Sequence, residues 1–449
     1  MRVLALTTVL LAATALPHAA TAEAYAIEHV TLIDGTGRAP QPDMTVSVDD
    51  GRVVAVQASA VAGQPKGRRI DGRGKWLIPG LMDVHIHLQG GVKDIEDAAG
   101  ARAAATQALA SFLYAGVTTV YDAGNRADVI LPLRTEERAG KIASPHIFAT
   151  GNLVTYPGSH GHQVAVEVSD FEKDKALLDK HIAEQQPDIL KITLEEEGWG
   201  TRPMIPLMPT ELLEKITRYY NQHGIRTTVH VSSELRALDA IYAGSDSLAH
   251  PVIQGPVSDS FVKLMAAKKL PFASTLTIGD NYGRLADHPE YLDEPLYAAS
   301  FSAADRELMK TKVRADYQGR VWTQWMKIMT PIAKENIRKI DAAGGVVALG
   351  TDLSNGAATH RELELLVSAG IAPLEVIKIA THNSALLLGK ADSMGSVEPG
   401  KIADLVLLDA DPAADIRNTA TIAMVMKGGE IVDESKLPLA GGKQARRMP

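Results

Sequence analysis

Short runs in which apolar and polar residues alternate occupy both ends of the chain, and a different rhythm fills the middle. Within 26–78, the runs 45–48 and 52–56 flank Asp49-Asp50-Gly51. That tripeptide is a hairpin signal, because glycine accepts the positive φ such a turn needs. The pattern returns in 403–408 and 423–426, and Gly428-Gly429 separates the second of these from Glu430-Ile431-Val432. Both ends therefore predict antiparallel strands, and 23–78 and 393–440 are expected to build one small β-sandwich together.

From 79 to 392 apolar runs alternate with amphipathic stretches, the strand–helix order of a parallel sheet. Strands are expected at 77–87, 118–122, 146–150, 189–193, 226–231, 247–250, 272–275 and 346–351. Eight such strands predict an α/β fold, a (β/α)8 TIM barrel with the sandwich at its flank; a doubly wound sheet is the alternative. The helix expected at 233–243 has Ser232 and Ser233 as N-cap candidates, Leu235, Leu238 and Ile241 on one face, and Gly244 as its stop. Between Thr275 and Val346 the gap exceeds one loop and one helix. Its first part carries Tyr282, His288, Tyr291 and Tyr297, and is read as a lid or pocket wall, with an oligomer contact as the competitor. Trp322, Trp325, Met326 and Met329 fall at helical spacing and predict a packed helix face.

Composition narrows the partners. In 449 residues, 46 Lys and Arg stand against 54 Asp and Glu, so the basic excess of a nucleic-acid binder is missing. There is no cysteine, which removes thiol nucleophiles, disulfides and cysteine-type zinc sites and leaves His and carboxylates to hold any metal. Residues 1–22 read as a signal peptide, with Arg2, an apolar run over 3–16 and Ala20-Thr21-Ala22 before the cut. The run is shorter than the roughly 20 residues of a spanning helix. Export to a periplasm or the cell exterior is expected, with no membrane attachment after cleavage, a small-molecule or short-peptide substrate, a homo-oligomeric state and a short tail at 441–449.

Candidate chemistry begins at Asp83-Val84-His85-Ile86-His87. On a strand His85 and His87 project from one face, while Val84, Ile86 and Leu88 face the other. Two imidazoles on one face can chelate an ion, or can simply line a barrel. Lys191, His230, His250 and Asp352 also end apolar strands. Burying a lone Lys or Asp there costs on the order of several kcal/mol unless it is paired or metal-bound, so these groups point to one shared site at the carboxyl ends of the strands.

The stretch Trp76-Leu77-Ile78-Pro79-Gly80-Leu81-Met82-Asp83-Val84-His85-Ile86-His87, with Lys191, His230, His250, Gly350-Thr351-Asp352 and the tail Glu398-Pro399-Gly400-Lys401-Ile402-Ala403-Asp404-Leu405-Val406, resembles the amidohydrolase superfamily. Within it, the chain is similar to the imidazolonepropionase-like and prolidase-like carboxypeptidase branch. The resemblance implies a metal-dependent amide hydrolase with two divalent ions, usually zinc. His85, His87 and Asp352 would bind the more buried ion, His230 and His250 the second, and Lys191, carbamylated by carbon dioxide, would bridge them. A hydroxide between the ions would attack, with Asp352 as catalytic proton carrier. Desolvation that lowers a lysine pKa also supplies the neutral amine that carbon dioxide needs; an unmodified Lys191 beside a single ion is the alternative.

An amide joining an acyl group to an amino acid, as in a dipeptide or N-acyl amino acid, is the expected substrate. Lactones or phosphotriesters would suit the same site, and a non-catalytic binding role is disfavoured because every ligand position is filled. Related carboxypeptidases carry an aromatic residue soon after the fifth-strand histidine, whereas Val231-Ser232-Ser233 follows His230 here. Tyr156, His160 and His162, in the loop after the third strand, are candidates for substrate contact. The Glu195-Glu196-Glu197 run with Trp199 reads as a solvated loop rather than an acidic pocket. His360 reads as a helix-start or supporting group, and His181 and His223 as positions on surface helices.

Overall fold

The computed structural model describes residues 23–88 and 97–444; the leader read at 1–22 and the end of the tail lie outside them. Eight parallel strands form the barrel: β1 Leu81–Ile86, β2 Val117–Asp122, β3 His146–Ala149, β4 Ile189–Thr193, β5 Arg226–His230, β6 Ser247–Leu248, β7 Pro271–Ala273 and β8 Val346–Ala348. Ladders run from β1 to β3 and from β4 to β8. Two seams join these arcs. Between β3 and β4, the Asp188 amide donates to Ala149 O at 3.0 Å, and between β8 and β1, Val84 N–H donates to Leu349 O at 2.8 Å. A doubly wound sheet has no such second seam.

Helices cover the outside, and local chemistry sets their ends. The helix after β5, Glu234–Tyr242, is capped by the Ser233 side chain, which accepts from Arg236 N–H. Its buried face is Ala237, Ala240 and Ile241, whereas Leu235 is 59% exposed, so the expected Leu235 face is corrected by less than a turn. His181, expected on the surface, is buried in its helix with Nδ1 2.8 Å from the Tyr220 hydroxyl. His223 is exposed, as expected. The long gap before β8 is helical: Leu276–Asp287 follows β7, short helices including Pro295–Ser300, Ala303–Leu308 and Arg314–Gly319 follow it, and Val321–Ala342 returns to the sheet.

The two chain ends share one eight-stranded sheet. Tyr25–Leu32 pairs with Gln41–Asp49, and Trp76–Pro79 bridges to Leu405–Leu408. The expected hairpin is present, with Asp50 and Gly51 both at positive φ. The sheet curls round a core of its own, in which Val46, Val53 and Leu77 meet Leu405 and Met426, so a single sheet supplies both faces of the expected sandwich. Below the barrel, His146 at the start of β3 lies between Glu137 and Asp404, tying barrel to sheet. No helix among the described residues is long and apolar enough to cross a membrane.

Candidate metal centre and its cleft

Strand geometry puts the two histidines of β1 on one face, with rings 5.3 Å apart and edge to face. His85 then meets His250 at 4.4 Å between ring centroids, and His250 meets His230 at 4.5 Å. Lys191 Nζ is 3.3 Å from His85 Nε2. Asp352 Oδ1 lies 3.3 Å from His87 Nε2 and 3.7 Å from His85 Nε2. The structure therefore brings together all six side chains expected at strand ends. His85, His250 and Asp352 each offer one ligand atom within 4.8 Å of the others.

Burial keeps the imidazoles in the form a cation needs. Desolvation, reinforced by neighbouring Lys191 and histidines, holds His85 and His250 well below the ordinary histidine range, and a neutral ring offers a free lone pair. Burial also brings Lys191 down to about 7 against the pull of Asp352 and Asp122. Among the described residues no carboxylate forms an ion pair with it. Second ring nitrogens are tethered: His87 Nδ1 to Gly124 O at 2.7 Å, and His250 Nδ1 to Thr275 Oγ1 at 3.0 Å. Such tethers fix ring orientation and tautomer in metal sites. Four clustered imidazoles, one carboxylate and a buried lysine with no ion-pair partner among the described residues fit the metal centre expected of this chain.

Asp352 reaches the site from a left-handed backbone, φ 59°, a conformation that non-glycine residues adopt only when their surroundings hold them there. Asp352 N–H donates to His85 O at 2.8 Å. Buried Asp83 accepts from Thr351 N–H at 3.1 Å and Thr351 Oγ1 at 2.8 Å. Gly350 completes the turn, since a Cβ there would stand 2.6 Å from His85 Cβ.

Above the ligands the cleft has two lobes that share His160, His230, His250 and Asp352. One, of about 810 Å³, is walled by Trp199, Leu276, Tyr282, Trp322 and Met326. Helix Leu276–Asp287 is thus a pocket wall. Trp322 and Met326, expected to be packing alone, also face the cleft. The other lobe, of about 910 Å³, is bounded by Leu153, Gly161, Val164 and Leu353.

His160 stacks on His230 at 4.5 Å, and burial lowers its pKa to about 4, with His230 adding to the effect. His162 points elsewhere: it is 46% exposed and lies 3.8 Å from Glu167. Gly161, between the two histidines, has a left-handed backbone, φ 77°. Tyr156 packs against the main core and does not line the cleft.

The solvated-loop reading of the acidic run is also corrected. Glu195 is buried, accepts from Ser232 Oγ and from Glu197 N–H at 2.7 Å, and sits 3.6 Å from His230 Nε2. Burial alone would raise its pKa, but His230, Ser232 and Glu197 N–H hold it at about 2. Glu196 pairs with Arg236, and Glu197 with Arg202 and His160. His360 stands apart, joining Ala115 O to Thr419 on the barrel's flank.

Comparison with known proteins agrees with this geometry. The model of the amidohydrolase family matches residues 76–432. Ochratoxinase of Aspergillus niger is 23% identical over 384 residues, 79% of this chain and 75% of the relative. Imidazolonepropionase of Symbiobacterium thermophilum is 24% identical over 445 residues, 91% and 96% of the two chains. Among solved structures, a Xaa-Pro dipeptidase with bound methionine in its active site superposes with a TM-score of 0.75 at 22% identity, covering 91% of this chain and 99% of the other.

Proposed function

Since the chain belongs to the amidohydrolase family and is a hydrolase acting on carbon–nitrogen bonds, we propose that it cleaves the amide of a dipeptide or N-acyl amino acid at a centre of two divalent ions, zinc in the first instance. The family is typically metal-dependent. His85, His87 and Asp352 would hold one ion and His230 and His250 the other, with Lys191, as its carbamate, between them. When bound, the ions supply Lewis acidity that activates water and polarises the scissile carbonyl.

The observation that carries this reading is the buried Lys191, brought down to about 7 with no carboxylate ion-paired to it among the described residues and 3.3 Å from His85. A neutral amine there can take up carbon dioxide and become a second anionic group beside Asp352 in an otherwise histidine-rich site. Asp352 turns Oδ1 to His85 and His87. Its other oxygen is the acceptor for the proton of the attacking water, which it returns to the leaving nitrogen. His160, neutral and stacked on His230, lines both lobes where the substrate carbonyl would lie. With 1–22 as an export leader, the reaction takes place in a periplasm or outside the cell.

Assay of dipeptides, N-acyl amino acids, lactones and phosphotriesters with metal-stripped and zinc-reloaded protein tests this. Amide hydrolysis lost on stripping and restored by zinc is expected; turnover of lactones or phosphotriesters alone would replace the reading.

A further inference from the structure

A substrate whose scissile amide lies at His160, His230, His250 and Asp352 extends one arm into each lobe, because both lobes open on those residues. The aromatic-walled lobe suits an aromatic or bulky apolar group: Trp199 and Trp322 lie 4.9 Å apart between ring centroids, with Tyr282, Met326 and Leu276 around them.

Besides Asp352, the charged side chains lining that lobe are Glu195, Glu197 and Arg202. Both glutamates are engaged within the protein. Glu195 accepts from Ser232 and Glu197 N–H and faces His230; Glu197 accepts from Arg202 Nη1 at 2.7 Å and faces His160 Nδ1 at 3.4 Å. Arg202 differs. It commits Nη1 alone, and its Nε and Nη2 have no hydrogen-bond partner among the described residues. Its Cζ sits 4.3 Å from the Trp322 ring centroid, and the side chain is 38% exposed. A guanidinium fixed at one end by Glu197 and supported by an indole presents its remaining edge as a fork, the geometry that takes a carboxylate bidentately.

We propose that Arg202 is a specificity-determining residue that holds the carboxylate of an aromatic or bulky apolar amino acid, whose side chain enters the Trp199–Trp322 lobe. The preferred substrates are then amides with such an amino acid, bearing a free carboxylate, on the leaving-nitrogen side. This rests on the amide-hydrolase reading and narrows it. Glu197 has a part in it, since it offsets the Arg202 charge in the free cleft and aims the open edge without occupying it.

The test pairs N-acetylphenylalanine with its carboxamide and with N-acetylalanine, using wild type, Arg202→Met and Arg202→Lys. Wild type should prefer the phenylalanine acid over both others. Arg202→Met should lower kcat/KM for the acid about 10- to 100-fold, mainly through KM, since hydrogen bonds to a charged group carry that much. The carboxamide should be nearly unaffected, and Arg202→Lys should recover part of the loss. Binding is read separately, by tryptophan fluorescence of the metal-free protein titrated with phenylalanine, which Arg202→Met should weaken. Equal loss on acid and carboxamide, or phenylalanine binding indifferent to Arg202, would overturn the assignment. If no amide is turned over, the amide-hydrolase reading fails, and the titration alone decides whether Arg202 anchors a carboxylate.

Discussion

Glu195 Oε2 lies 3.6 Å from His230 Nε2, the carboxylate buried and the imidazole lining the cleft. Burial holds His230 below its ordinary value against the pull of Glu195; with Nε2 turned to the carboxylate, Nδ1 is the nitrogen that would be left for a cation. Glu195→Ala removes that constraint. Metal retention should weaken about 10- to 100-fold, the usual effect of losing a carboxylate behind a ligating histidine. Competition with a chromogenic chelator measures it, and unchanged retention would remove Glu195 from the account.

Asp352→Asn keeps the size of the side chain and one ligating oxygen but cannot accept a proton. With metal content unchanged, kcat should fall about 10²- to 10⁴-fold, the range of general acid–base catalysis. Retention of more than about a tenth of kcat would move the proton to another group, and His160, which stacks on His230, would be next to test.

Gly350→Ala tests the packing that positions the ligands. Its Cβ would approach His85 Cβ to 2.6 Å and Ala273 Cβ to 3.0 Å, and β1 and β8 cannot separate without opening the seam between them. A loss of about 1–3 kcal/mol in stability is expected from such overpacking, together with weakened metal binding, because the displaced residue is a proposed ligand. Denaturant unfolding and metal titration should both register it.

The junction of barrel and terminal sheet is expected to sense pH. Burial alone would lower the pKa of His146, but Asp404 and Glu137 raise it to about 9 from an ordinary 6.5, against the opposing charge of Lys427. Burial alone would raise Glu137, but His146 and Lys427 hold it at about 2, below its ordinary 4.5. The His146 contribution is complete below pH 6.5 and is lost as pH rises to about 9; the Glu137 contribution is present above pH 4.5 and is lost as pH falls toward 2. Stability from this cluster is therefore greatest between about pH 4.5 and 6.5. His146→Gln should cost about 1–3 kcal/mol at pH 6, with the deficit shrinking toward pH 9. Urea unfolding across that range decides it, and a pH-independent deficit would contradict the assignment.

What the sequence disclosed about this site follows from distance along the chain. His85 and His87 share a face through strand period alone, and Lys191, His230, His250 and Asp352 were visible as ionisable residues ending apolar strands. The barrel was visible in the same alternation. Glu195 was not, because three consecutive glutamates read as a solvent-facing run until Ser232, on the next loop, is seen to donate to it. Trp322 lies far along the chain from the Trp199 it meets, so helical spacing alone gave only a packed face. His160 and His162 were equal candidates in one loop, and only the left-handed turn at Gly161 separates the one that lines the cleft from the one that does not. In the terminal sheet, alternation revealed the strands but not that one sheet would curl to supply both faces.

The central claim is that six strand-end side chains hold two metal ions bridged by a modified Lys191. Elemental analysis of protein saturated with zinc in bicarbonate buffer, for wild type and Lys191→Ala, addresses it most directly. The account predicts two ions per chain in the wild type, and in the variant loss of at least one ion and of most activity, with partial recovery on adding a short-chain carboxylic acid. One ion per chain in saturated wild type, or a Lys191→Ala protein with unchanged metal content and rate, would contradict it.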